Sequence, residues 1–308
     1  MNEKQRKEAL QTLEKMNVID DFLFTAIMSD DKNGLEVCRL ILTCVLNRKI
    51  GKIRFTAQKV VQGVSKETHG IRLDAYITES EEDSEGYEKD ISVYDVEAEK
   101  RVSKKTGLPK RSRYYGDLVD VQLLETSTDY EKMPELVTLF ILSYDPFGKN
   151  AMYYEAGTVL KTHPDIPYDD GIRRIFLYVN GQLPKEAAEA EQRLKILLKY
   201  IGKSTADNAV DDNTRKLNEI VRNIKARKDV GVNFMKSWEI ELDRKKREKE
   251  IEESARAREQ ANTERERKRA DDAEKRANEA EKRADEAENR ALLAEKRLAE
   301  LEGAMTSK

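Results

Sequence analysis

Four acidic residues, Asp74, Asp95, Glu97 and Glu99, fall in two short stretches whose spacing allows them to act together. IRLDAYI, residues 71–77, and ISVYDVEAE, residues 91–99, alternate in the manner of half-buried strands and are joined by an acidic, polar connection. Strand side chains alternate, so Ile71, Leu73, Ala75 and Ile77 are expected on one face and Arg72, Asp74 and Tyr76 on the other. In the second stretch Tyr94, Val96 and Ala98 share a face, opposite Asp95, Glu97 and Glu99. If the two strands pair, these carboxylates gather on one face of a sheet. Two of them about 6 Å apart repel by roughly 3 kcal/mol at an effective dielectric of about 20, which a proton or a metal ion relieves. Hard oxygen ligands of this kind suit Mg²⁺ or Mn²⁺. The alternative is a polar sheet face standing in water.

An Asp on one strand, followed after a hairpin by Glu, one residue and a third polar residue, resembles the signature of PD-(D/E)XK nucleases. The closer resemblance is to the recombination-promoting nucleases, also described as PD-(D/E)XK family transposases. It is carried, in order and spacing, by LDAY around Asp74, YDVEAE from Tyr94 to Glu99, RSRYYGDLVD from Arg111 to Asp120, ILSYDPFG from Ile141 to Gly148, and DGIRRIFLYVNG from Asp170 to Gly181. It covers roughly the first two hundred residues. The resemblance implies an α/β fold with a restriction-endonuclease-like core, a central mixed sheet flanked by helices. It also implies a metal-dependent DNA endonuclease with a role in recombination or mobile-element biology. Asp74, Glu97 and the backbone carbonyl of Ala98 would then hold Mg²⁺ or Mn²⁺. In related nucleases a glutamate on the helix before the sheet assists, which points to Glu36; Asp95 and Tyr114 are further accessory candidates.

One position departs from that pattern. The third place of the second strand takes Lys in the superfamily and often Gln in this branch, but here it is Glu99. Lys100 does not substitute, because one step along a strand turns a side chain to the other face. Three outcomes stay open: Glu99 adds a metal ligand, a basic residue arrives from the following helix, or the site is weakened. In the last case the chain would be a nuclease-fold protein that serves as a nucleic-acid-binding or coiled-coil assembly module.

Around these residues, the 308-residue chain carries 38% hydrophobic and 38% charged residues with a formal charge of -3. It contains no apolar run of membrane-spanning length and begins MNEKQRKEAL, without the features of a secretory signal, so a cytoplasmic protein is expected. Cys38 and Cys44 lie in an apolar helical run and are expected to pack reduced. His69 and His163 are too far apart in sequence for a histidine-centred site to be expected.

Helical spacing marks IDDFLFTAIMSDD and Leu35 to Leu46, with Asp30 and Asp31 as the cap between them. Lys52 to Phe55 is expected to be a first strand. After the acidic strands a basic run punctuated by Gly107 and Pro109 leads into a helix from Arg111, with Tyr114, Leu118, Val119 and Leu123 inward. Arg111 and Arg113 at its start are placed to grip a phosphate bidentately. LVTLFILSY, residues 136–144, reads as a strand buried on both faces, and Met152 to Leu160 and Ile172 to Val179 as two more. A helix through Leu194 and Ile201 closes this part. The expected domains are 1–203, a nuclease-like domain; 204–232, a helical connector; 233–303, a long charged helix or coiled coil; and 304–308, a disordered tail.

The last segment repeats in heptads, ADDAEKR, ANEAEKR, ADEAENR and ALLAEKR, from Ala270. Ala270, Ala277, Ala284, Ala291 and Leu298 take one core position, and Ala273, Ala280, Ala287, Ala294 and Leu301 the other. Asp272 with Arg276, Glu279 with Arg283 and Glu286 with Arg290 are expected to pair four apart. An alanine seam buries little area, so both a solitary helix and a weak homodimer through residues 270–302 fit the repeat.

Overall fold

Aspartates begin several of the helices. Asp30 caps one helix by accepting from the Asn33 N–H at 3.0 Å, and Asp211 caps another by accepting from Thr214 N–H at 2.8 Å. The computed structural model describes residues 1–62, 70–100, 107–123 and 129–306, with side chains as far as residue 297. Three helices come first, α1 (Glu3–Glu14), α2 (Asp21–Met28) and α3 (Asp31–Leu46). Strands β1 (Lys52–Val61), β2 (Ile71–Glu82) and β3 (Glu88–Glu99) lead to α4 (Leu108–Leu123). Then follow β4 (Glu135–Leu142), β5 (Tyr153–Ala156), β6 (Ile172–Tyr178), α5 (Glu189–Gly202), α6 (Asp212–Ala226) and α7 (Lys228–Thr306).

The strands form one six-stranded mixed sheet in the order β1-β2-β3-β4-β6-β5. β1, β2 and β3 run antiparallel, β4 lies parallel to both β3 and β6, and β5 is an antiparallel edge. The chain is therefore α/β, a mixed sheet flanked by helices, with a long C-terminal helix. β4 is buried from Leu136 to Leu142, as its unbroken apolar run requires for a strand covered on both faces. On one face the main core joins the α1 to α3 side chains to Ile77, Tyr94, Val96, Leu139 and Ile141 and to α5 and α6. It extends to Val230 and Phe234 in the first turns of α7.

Several sequence expectations are corrected in detail. β1 runs on past Phe55 to Val61, and β5 is four residues long where Met152 to Leu160 was expected. An edge strand is paired on one side only, and Gly157 follows directly, so nothing extends it. Pro109 sits within the first turn of α4, where its missing N–H costs no helical bond. Ile71, Leu73, Ala75 and Ile77 do not share one core. Ala75 and Ile77 join the main core, whereas Ile71 and Leu73 pack with Val61, Tyr76, Val93, Leu118 and Val119. The change of side falls at Asp74.

The chain divides into two compact units, residues 1–238 and 239–308. The second consists of helix, continuous as far as Thr306, with side chains exposed from Asp243 to Arg297. Its ion pairs are Arg244 with Glu241 and Glu248, Arg256 with Glu252, and a few more upstream of the repeats. The pairs expected at Asp272, Glu279 and Glu286 are not among the ion pairs of the described residues. Fully solvated pairs yield only a fraction of a kcal/mol, about enough to offset the ordering of two long side chains. Of the expected tail, residues 304–306 are helical and 307–308 lie outside the described residues. No helix among the described residues is long and apolar enough to cross a membrane.

Candidate active site

The β2–β3 hairpin brings the acids together. Register pairs Ala75 with Val96 and Tyr76 with Asp95, and one step further the Asp74 N–H donates to Glu97 Oε1 at 2.8 Å. Asp74 is held from two more directions. Gln58 Nε2 donates to its Oδ1 at 3.1 Å, and the Ala98 N–H approaches Oδ2 at 3.4 Å. Gln58 itself adopts left-handed backbone with φ 49, an uncommon conformation for such a residue inside a strand. The irregularity lies beside the residue at which β2 changes its packing side. Ala98 thus meets Asp74 through its N–H, whereas the resemblance puts forward its carbonyl as a ligand.

Asp95 is fully buried, and among the described residues its carboxylate oxygens meet no N–H or hydroxyl donor; its hydrogen-bonding neighbour is the Glu97 carboxyl. Beside it in register on β4, Thr138 is also fully buried with an unpaired hydroxyl. A buried acid in this state resists ionisation. Burial, and then the charge of Asp74, raise Asp95 to about 7. Glu97 is pushed well above the carboxylate range by burial, then by Asp95 and Asp74. Burial also raises Asp74. Two adjacent carboxyls with raised affinity for protons are most simply relieved by sharing one. Residue types and alternation point to this cluster; the resemblance makes Asp95 an accessory, whereas it is the most deeply buried acid of the group.

Glu99 is engaged differently. Arg111, in the first turns of α4, binds its Oε2, and Tyr144 donates to Oε1 at 3.2 Å. A basic residue does reach this position from the following helix, and it is paired with Glu99. The Arg111 guanidinium lies 5.4 Å from the centre of the Phe140 ring and 6.0 Å from that of Tyr115. Its charge also draws Asp74 and Asp95 toward ionisation. Arg113 is exposed, two residues and about 200° further round α4. Tyr114 packs with Leu118 and Val119 in the cluster beneath that helix. It is Tyr115 that the acids reach: burial, and then the charge of Glu97, raise its hydroxyl to about 12.

Glu36, the accessory candidate on α3, pairs with Lys216 and so ties α3 to α6. The N-terminal acid whose charge is felt at Asp74 is Asp21, on α2. Asp21 was read from sequence only as part of a helix, because nothing in a single chain tells which helix end meets which strand. The basic run at 101–106 lies outside the described residues.

No family model, curated protein or solved structure matches this chain. The site therefore stands on its own chemistry. Among the described residues no group of three or more His, Cys, Asp or Glu side chains is arranged to hold a metal ion. The fit to a metal rests on two carboxylates, Asp74 and Glu97, with the buried Asp95 behind them. Mg²⁺ commonly takes one or two carboxylates from a protein and keeps several waters, so that number suffices. A cleft of about 700 Å³ elsewhere, lined by Cys44, Met152, Leu183, Pro184 and Leu194, includes none of these acids.

Proposed function

We propose that this chain is a divalent-metal-dependent endonuclease that hydrolyses phosphodiester bonds of DNA, on a restriction-endonuclease-like PD-(D/E)XK core. The observation that carries the reading is the set of three carboxylates, Asp74, Asp95 and Glu97, that influence one another on the interior strands β2 and β3, with no ion pair to any of them among the described residues. Arg111, which is close by, is bound to Glu99. A buried anionic cluster is costly to leave as it is, and a divalent cation relieves it while drawing a phosphate to the same place.

Asp74 and Glu97 would hold Mg²⁺ or Mn²⁺, with the Ala98 carbonyl completing the protein's share. When bound, such an ion supplies a Lewis acid and a water of lowered pKa. The other roles belong to the chain. Gln58 and the Ala98 N–H fix the Asp74 carboxylate, and Asp95 holds or releases the proton that decides the charge of Glu97. Arg111 binds a phosphate oxygen in exchange for Glu99, as a planar guanidinium does well. Arg113, exposed on the same helix, contacts the backbone further along.

Nicking of supercoiled plasmid in Mg²⁺ or Mn²⁺ tests this. Asp74→Ala should abolish nicking while leaving thermal unfolding near that of the parent chain, and nicking at the parental rate by purified Asp74→Ala would sink the assignment. A second reading, a weakened or inactive nuclease fold used for binding or assembly, is favoured by Glu99 standing where Lys is usual and engaging Arg111. Binding of DNA with no cleavage by the parent chain in either metal would select it.

A further inference from the structure

The acid site continues into a row of aromatic rings. In register across the sheet, Glu97 on β3 pairs with Phe140 on β4, Phe140 with Phe176 on β6, and Phe176 with Tyr154 on β5. Register partners on neighbouring strands share a face, so acid and rings lie on one side of the sheet. Phe140 and Phe176 stack with centroids 5.7 Å apart. Arg111 lies over Phe140, at the boundary between acids and rings.

The row ends in a ring that is offered to solvent. Phe147 meets Phe176 edge-on at 5.3 Å and Tyr154 at 5.1 Å, yet is itself 43% exposed. Its loop is tightly fixed. The Asp145 carboxylate accepts from the N–H groups of Phe147 at 3.1 Å, Gly148 at 2.9 Å and Asn150 at 2.6 Å, and from the Tyr154 hydroxyl at 2.7 Å. Gly148 takes φ 73, the conformation that lets the loop fold back on that carboxylate. An exposed aromatic on a turn held by four hydrogen bonds has little to lose in entropy when a flat partner stacks on it. From Glu97 to Phe176 is two strand spacings, about 10 Å, which a nucleic-acid strand covers in about three nucleotides at the rise of a duplex.

We propose that this stripe binds single-stranded nucleic acid, with a phosphate at Arg111 and an unpaired base stacked on Phe147. The proposal rests on the nuclease reading for the orientation of the strand and narrows its substrate to DNA that is unpaired, or can open, next to the cleaved bond. Duplexes keep their base faces covered, whereas unpaired bases stack on aromatic side chains without regard to sequence. The guanidinium, exchanging Glu99 for a phosphate, supplies the cationic contact, and the ring supplies the discrimination between paired and unpaired strands.

The test is binding of the full chain, in EDTA and low salt, to fluorescent oligonucleotides of about 12 residues, within the length that single-strand sites cover. Single-stranded DNA, single-stranded RNA and the matching blunt duplex form the three arms. Phe147→Leu keeps apolar cover over Phe176 and Tyr154 but removes the stacking face. It should weaken single-strand binding about tenfold and leave duplex binding unchanged, while Phe147→Trp stays close to the parent. Either sugar satisfies the proposal, and the DNA and RNA arms identify which is preferred. Parental single-strand affinity in Phe147→Leu, an equal loss on duplex and single strand, or no single-strand binding by the parent would each overturn it. Because the assay contains no metal, its outcome is separable from that of catalysis. A Phe147 effect without plasmid nicking removes hydrolysis and keeps the stacking surface, and nicking with no Phe147 effect does the reverse.

Discussion

At Asp95 the alternation of a strand and the packing of a sheet pull in different directions. The sequence places an acid on the polar side of YDVEAE, and the fold covers that side with α4, leaving the carboxyl buried with the Glu97 carboxyl as its hydrogen-bonding neighbour. Alternation could assign the face but not say that the face would be covered, so it did not distinguish the deepest acid from its neighbours. Its raised pKa gives a stability prediction. A carboxyl at about 7 in the fold and about 4 in the unfolded chain contributes stability that is fully present below about pH 4 and lost as pH climbs through about 7. In EDTA the melting temperature should therefore fall between about pH 5 and 8, and Asp95→Asn should flatten that fall. Parallel melting profiles for the two chains would locate the titration elsewhere. At Glu99 the prediction concerns binding. Glu99→Gln removes the charge that holds Arg111, so DNA affinity in EDTA should rise several-fold, whereas Arg111→Ala should lower it. Unchanged affinity in Glu99→Gln would mean that Arg111 does not meet phosphate.

Among the elements, those with long, one-sided patterns were legible and those defined by their neighbours were not. The helices α2 and α3, the two acidic strands and β4 lie where periodicity puts them, because burial of an apolar stripe or run dictates both. The extent of β1 and the shortness of β5 depend on pairing partners, which periodicity does not contain. The junction of α3 and β1 shows the same thing. Glu79 on β2 is 1% exposed and accepts from both Arg48 terminal nitrogens, from the Gly51 N–H at 2.6 Å and from the Tyr94 hydroxyl at 2.5 Å. Burial alone would raise its pKa, but these donors outweigh it and hold the carboxylate at about 2. Its stabilisation is therefore present above about pH 4.5 and lost only toward pH 2. Glu79→Ala leaves the Gly51 N–H and the Tyr94 hydroxyl without their acceptor and should cost about 3 kcal/mol in urea unfolding. A loss under about 1 kcal/mol would show that solvent takes its place.

For the whole molecule, the long C-terminal helix was legible from its heptad repeat, while the place where the compact unit ends was not. Val230 and Phe234 belong to the core although they lie within the long helix, so a chain ending near residue 228 would strip two apolar side chains from it. A chain of residues 1–238 keeps the first compact unit whole. The alanine seam of residues 270–302 offers little apolar area, which makes micromolar rather than nanomolar self-association the expectation. Sedimentation across a concentration series should show a weak dimer for the intact chain and a monomer for residues 1–238. The shorter chain should still nick plasmid but make double-strand breaks less efficiently, since two strands require two sites or one that turns round. Identical monomers at all concentrations would leave the helix without a self-partner.

The proposed metal site depends most directly on the charge of Glu97. In Glu97→Gln the side chain keeps its size and its acceptor for the Asp74 N–H but loses the negative charge offered to a metal. Single-turnover cleavage of labelled DNA in Mn²⁺, with Mn²⁺ affinity followed by electron paramagnetic resonance on the same samples, should show both affinity and rate reduced, the rate by about a hundredfold or more. Parental cleavage with undiminished Mn²⁺ binding in Glu97→Gln would contradict a metal-dependent nuclease built on these acids.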